Sequence, residues 1–220
     1  MESVARLDEL TRKLRRECPW DREQDERSIV PHTVGEAYEL AAAAHAGDDA
    51  KLLDELGDVL FQVHFLSLLL EERGHGSLAA VAEHVHAKLV RRHPHIFGDV
   101  EVDGAGEVLR NWDQIKKGEA GREPEIFGDV PENLPGPLYA RKLLRRADSA
   151  EHEYEVTGVR EAAERAAAAG DSDPEDRFAA IGDLMLSAVA LARELKVDPE
   201  LALRAAADAF RRREQETESP

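Results

Sequence analysis

Apolar residues recur every three or four positions along most of this chain, the period of a helix with one buried face. Val4, Leu7, Leu10 and Leu14 predict a first helix over 2–16, stopped by the turn Cys18-Pro19-Trp20-Asp21. A second helix is predicted from Thr33 to His45. The Gly47-Asp48 break then offers Asp48 or Asp49 as the N-cap of a third, from Asp49 to Arg73. Its predicted buried stripe is Leu52, Leu56, Val59, Leu60, Val63, Leu66 and Leu70. So short a loop makes the second and third helices antiparallel neighbours. Gly74 and Gly76 end the third, and a fourth runs from Leu78 to Arg92, where Pro94 turns the chain out of helix near His93. A shorter helix over 107–117 contains Trp112. No stretch alternates as a strand does, so the predicted fold class is all-α.

Residues 118–137 are rich in Gly and Pro in their last part and read as a linker. The pentapeptide IFGDV occurs at Ile96–Val100 and again at Ile126–Val130, which we read as similar turn chemistry. A longer repeat lies at a shift of 125 residues, where ELGDVL becomes AIGDLM without a gap. The predicted organisation is a first domain over 1–118, a linker over 119–138 and a degenerate repeat over 139–220.

The chemistry sits on the second and third helices. Glu36 and Glu39 stand at i, i+3 in GEAYE, and Glu55 and Asp58 at i, i+3 in DELGD, so each pair shares a helical face. Antiparallel packing brings the pairs together as an oxygen-rich cage, the donor set a hard ion such as Mg²⁺ selects. One such pair alone is adequately explained as a solvated helix surface. The set is harder to explain that way, because Glu55 and Asp58 border an otherwise apolar helix, where bare carboxylates repel and desolvate. Shifted by 125 residues, the quartet becomes Glu161, Glu164, Ala180 and Asp183, while Lys51 becomes Asp176. KLVRRH from Lys88 becomes DAFRRR from Asp208, after a loop five residues shorter. The copy has therefore lost an acid and its cations together.

Composition narrows the partners. At 220 residues and 42% hydrophobic, the chain is long enough for an ordinary core in one or two small domains. No run approaches the roughly 18 apolar residues of a membrane span, and the N-terminus has no secretory apolar region, so the expected compartment is the cytoplasm. Cys18 is the sole cysteine, which rules out an intrachain disulfide and suits a reducing compartment. A formal charge of −17 argues against stable nucleic-acid binding. A small polyanion remains a suitable ligand if a divalent ion and a few placed cations meet it. Lys51, one turn before Glu55, is placed to be one of them, or simply an exposed i, i+4 partner of that acid. Lys88, Arg91 and Arg92 end the fourth helix, where the helix dipole favours cations in any protein. His93 and His95 flank Pro94 in a helix-ending turn, with no third nitrogen or sulfur ligand for zinc. Gly57, between Glu55 and Asp58, leaves room for a neighbouring helix or a ligand.

CPWDREQ at Cys18–Gln24, GEAYE, DELGDVLFQVHF, KLVRRHPHIF and NWDQIKK follow, in order and spacing, the pattern of the MazG family of nucleoside triphosphate pyrophosphohydrolases, which this chain resembles nearly end to end. The resemblance implies tandem all-α domains whose four-helix units are completed by homodimerisation, and hydrolysis of NTPs and dNTPs to monophosphate and pyrophosphate, a nucleotide-pool housecleaning role. It implies Glu36, Glu39, Glu55 and Asp58 as Mg²⁺ ligands, with Mn²⁺ as a substitute. Lys51, Lys88 and Arg92, with Arg91 beside them, fall on triphosphate-contacting positions, and Trp112 on one near the nucleotide. One Mg²⁺ would leave the four carboxylates at a charge of about −2, so two or more ions suit a triphosphate better. The first Glu of the family's EExxE is Gly35 here, which bears on metal number and water activation. With Ala180, Asp176 and Asp208 in the later half, activity is expected in the first domain. Two other functions fit the same residues: a pyrophosphohydrolase specific for dUTP or a phosphoribosyl nucleotide, and a non-catalytic helical regulator.

Overall fold

The computed structural model describes residues 2–119, 126–127 and 130–218. These form eleven α-helices, one 3₁₀ turn and no strand, and they divide into two compact units, Met1–Val100 and Glu101–Pro220. Among the described residues no helix is long and apolar enough to cross a membrane.

The first unit is built on a helical hairpin. Helix α1 (Glu2–Glu17) is followed by a short helix α2 (Pro19–Glu23), so the predicted Pro19 turn starts a helix, as proline at a first helical position can. Helix α3 (Glu26–Ala46) begins seven residues before the expected Thr33. Asp25 and Ser28 form a reciprocal capping box that satisfies the first amides, and this outweighs Pro31, which has no N–H to give the helix but faces solvent. Gly47, at φ 68°, closes α3 in the left-handed conformation that glycine adopts without strain. Asp48 then accepts from the Lys51 amide and starts α4 (Asp49–Glu72), the predicted third helix.

Helix α4 turns a different face inward than its leucines suggest. The predicted stripe is only partly buried: Leu52, Val59, Leu66 and Leu70 are half-buried, Leu56, Leu60 and Val63 are exposed, and Leu53 beside them is at 74% exposure. The face toward α3 carries Lys51, Glu55, Asp58, Gln62, Phe65 and Leu69, at coiled-coil spacing, against Ile29, Thr33, Glu36, Leu40 and Ala43 at the same spacing on α3. At one end of this seam Ile29, Phe65 and Leu69 form the apolar core with Phe61 and Leu66. Midway, the Thr33 hydroxyl approaches Gln62 Oε1 at 3.4 Å. Toward the Gly47 turn the seam is acidic. Helix α1 is held to α4 by Arg12, which donates to both oxygens of Glu71 at 3.0 and 2.7 Å, and by Arg15, which does the same to Glu72. Helix α5 (Leu78–Arg92) packs on α4, and His93 caps it before a single turn, α6 (Pro94–Phe97).

The second unit repeats this order. Helices α8 (Gly136–Ser149), α9 (Val159–Ala168), α10 (Pro174–Glu194) and α11 (Pro199–Glu218) stand where α1, α3, α4 and α5 stand in the first, and α10 packs on the other three as α4 does. Asp173, which is Asp48 carried forward 125 residues, likewise caps α10. Helix α7 (Ala105–Lys117), within the span 1–118 expected of the first domain, stands in the second unit, where Ser149 Oγ donates to its Asp113 at 2.6 Å. Much of the expected linker, residues 120–125, 128 and 129, lies outside the described residues, as does part of the second IFGDV.

Candidate metal centre

The acidic end of the α3–α4 seam gathers three carboxylates. Glu36 and Glu39 descend from α3 and Glu55 rises from α4, and one oxygen of each lies within 4.8 Å of the others. Among the described residues, no other group of three or more potential metal-ligating side chains converges in this way. Glu55 is 5% exposed, whereas Glu39 is open to solvent. Asp58, one turn beyond Glu55, stands outside the closest trio but near enough for its charge to act on both Glu36 and Glu55.

Crowding shows in the proton affinities. Burial pushes the Glu36 carboxyl above its ordinary range, Asp58 and then Glu39 add to that, and His32 opposes it. Burial likewise raises Glu55, with Glu39 next; Lys51 opposes, while Glu36 and Asp58 reinforce. Acids that raise one another in this way are relieved by a cation, and a donor set made only of carboxylate oxygens fits a hard divalent ion. Glu36, Glu39 and Glu55, with Asp58 adjacent, therefore fit a divalent metal.

Of the predicted cations, Lys51 is beside the trio, its Nζ 3.9 Å from Glu55 Oε1 and its side chain half-exposed. As an ion pair this contributes little to stability, so the ammonium remains available for another anion. It also borders an open groove of about 620 Å³ along α4, with Asp54, Gly57 and Asp58. A Cβ placed on Gly57 would meet nothing within 4 Å, so in this chain the glycine opens a groove and seats no helix. Lys88, Arg91 and Arg92 occupy the last turns of α5: Lys88 half-buried, Arg91 exposed and Arg92 buried at 6%. Trp112, half-buried, belongs to α7 in the second unit. The His93 and His95 rings lie 5.5 Å apart, and His93 Nδ1 is 2.6 Å from the Leu89 carbonyl oxygen, a helix-ending arrangement.

Two neighbours of the site were not singled out in the sequence. His32 stands one turn before Glu36, and the indole of Trp20 meets its ring edge-on at 6.0 Å while staying 52% exposed. The i, i+4 spacing of His32 and Glu36 was the available signal, but it carries meaning only once α3 extends back past Pro31.

In the second unit the corresponding end of the α9–α10 seam carries no such trio among the described residues. Glu161 and Glu164 point to solvent, Ala180 stands at the register of Glu55, and Asp183 lies 3.9 Å from Arg165 Nη1. Arg165 occupies the register of Leu40, on the seam itself. A side-chain cation thus stands beside the registers at which the first unit gathers acids.

Comparison with known proteins gives consistent results. The profile of the MazG nucleotide pyrophosphohydrolase domain matches residues 24–97, a span that includes the trio, Asp58, Lys51 and the α5 cations. A nucleoside triphosphate pyrophosphohydrolase of Escherichia coli K12 is 33% identical over 234 residues, covering 99% of this chain and 88% of that protein. The nucleoside triphosphate pyrophosphohydrolase/pyrophosphatase MazG of Thermotoga maritima is 36% identical over 197 residues, covering 88% of this chain and 76% of that one. A crystal structure of a mazG-related protein from Thermotoga maritima aligns at 25% identity over 51% of this chain and 98% of that chain, with a TM-score of 0.45.

Proposed function

This chain belongs to the MazG nucleotide pyrophosphohydrolase family, and from that premise we propose that its first unit hydrolyses nucleoside triphosphates, NTPs and dNTPs alike, to the monophosphate and pyrophosphate, with Mg²⁺ held by Glu36, Glu39, Glu55 and Asp58. The observation that carries the reading is the convergence of Glu36, Glu39 and Glu55 with two of their carboxyls held above the ordinary range.

Bound there, a divalent ion would neutralise phosphate oxygens and favour ionisation of water, with Mn²⁺ able to replace Mg²⁺. The protein's own groups do the rest. Lys51 meets charge on the phosphates beside the trio, and Lys88, Arg91 and Arg92 supply further positive charge from α5. Water adds to the α-phosphorus, the bond to the α–β bridging oxygen breaks, and pyrophosphate leaves with that electron pair. A carboxylate of the quartet accepts the proton that water gives up. The exposed indole of Trp20, steadied by His32, offers a flat apolar surface for a base near the trio.

The second unit is proposed to be non-catalytic, supported by Ala180 and by the Arg165–Asp183 pair. A homodimer is proposed on the strength of the exposed apolar stripe Leu53, Leu56, Leu60 and Val63 on α4, flanked by Val81 and Leu89 on α5. The test is pyrophosphate release from a panel of NTPs and dNTPs with Mg²⁺, for the wild type and Glu55→Gln. Broad release lost in the variant is expected. Release from dUTP or a phosphoribosyl nucleotide alone would narrow the substrate, and unchanged activity and metal affinity in Glu55→Gln would sink the metal-site reading.

A further inference from the structure

The second unit has given up the core of the first. In the first, Ile29, Phe65 and Leu69 are buried together at 3%, 1% and 4% exposure. Carried forward 125 residues, these positions are Tyr154, Ala190 and Glu194, and buried Leu68 becomes Arg193. A phenyl ring has been replaced by a methyl group and two apolar side chains by charged ones. The turns of α3 that carry Ile29 have no helical counterpart either, since α9 starts only at Val159 and residues 152–158 adopt no regular structure. Deleting that much apolar volume from a seam is destabilising unless the space collapses or is used. It has not collapsed: an open cavity of about 660 Å³ remains, with Val156, Val159 and Ala190 in its lining.

One wall of the cavity is a polar array. The Tyr154 hydroxyl donates to Asp148 Oδ1 at 2.6 Å and accepts from Arg193 Nη1 at 3.3 Å, and Arg193 also pairs with Asp148. Lone pairs on Asp148 and further N–H groups on Arg193 remain available, because a carboxylate and a guanidinium each make more bonds than these. Asp148 and Glu194 outnumber Arg193 among the lining charges, which disfavours a polyphosphate. A ligand that complements this space needs a flat apolar face of about the size of the lost phenyl ring, an edge of mixed donors and acceptors, and no net negative charge.

We propose that this cavity is a ligand site of the second unit that takes an uncharged nucleoside, its base in the volume left by the phenylalanine and its polar edge on Asp148 and Arg193. The site is separate from the metal centre and stands whether or not that centre is catalytic. Binding of adenosine, guanosine, cytidine, uridine and thymidine to the full-length protein in EDTA, measured by calorimetry, tests it against Ala190→Phe, which restores the ring of the first unit. The expected result is saturable binding of at least one nucleoside, weakened at least about tenfold in Ala190→Phe. No saturable binding to the wild type overturns the proposal, and so does equal affinity in the variant. If Ala190→Phe fails to fold by circular dichroism, Val156→Phe narrows the same cavity from the 152–158 side and is judged by the same two criteria.

Discussion

Arg165 lies 3.9 Å from Asp183 on the α9–α10 seam, at the register where the first unit has Leu40 near its carboxylates. An exposed pair of this kind adds little stability, so its effect is chiefly to add a positive charge at this end of the seam. The double variant Ala180→Glu with Arg165→Leu should therefore bind more Mn²⁺ per chain than the wild type. Electron paramagnetic resonance titration measures this, and an unchanged stoichiometry would show that Arg165 is not what bars the metal.

The raised carboxyls of Glu36 and Glu55 have a signed consequence. A folded-state value above the ordinary 4.5 means stability that is complete below 4.5 and declines as pH rises through the raised values. Metal-free protein should thus lose part of its stability as pH climbs above 4.5, and Mg²⁺ should restore it by neutralising the acids. Glu55→Gln should melt higher than the wild type in EDTA at pH 7 and gain less from Mg²⁺. A variant that melts lower in EDTA and gains as much would contradict the repulsion argument.

Gly35 sits inside α3 with nothing within 4 Å of a would-be Cβ. Gly35→Ala should stabilise the first unit by about 0.5–1 kcal/mol, since a helix-interior glycine costs that much in backbone entropy. Gly35→Glu should also fold, and should bind Mn²⁺ more tightly by adding an acid next to Glu36. Chemical denaturation and metal titration read the two effects separately.

Phe65, 1% exposed, fills the apolar end of the same seam. Phe65→Ala should cost roughly 3–5 kcal/mol in denaturant unfolding of the first unit. A loss below about 1 kcal/mol would mean that the ring's surroundings collapse around the alanine.

Leu60 belongs to an apolar stripe that α4 leaves exposed in the single chain. Leu60→Asp should convert a dimer to monomers in light scattering, because a charge on each copy would meet its symmetry mate. A wild type that is already monomeric would dispose of the dimer reading.

Much of this was legible in the residues. The limits of α1, α4 and α5 follow from caps, Gly74 and Pro94, which act within a few residues and so leave local marks. The acid pairs at i, i+3 and the repeat at a shift of 125 are likewise properties of spacing. The start of α3 at Glu26, ahead of the expected Thr33, is set by the Asp25–Ser28 capping box, which is also a local signal.

Orientation, by contrast, left no mark in the spacing. Helix α4 is apolar on more than one side, so periodicity cannot choose which side is buried; packing against α3 chose the one with Glu55, Gln62 and Phe65 and left Leu56 and Leu60 outside. The same choice buried Glu55, raised its proton affinity and set Arg165 against Asp183 in the copy. It also opened the cavity beside Tyr154, since an alanine at 190 becomes a void only where a facing helix has ended. Residue identity sets which groups exist and their spacing along each helix; burial, charge crowding and empty volume depend on which faces meet, and only the packed chain settles that.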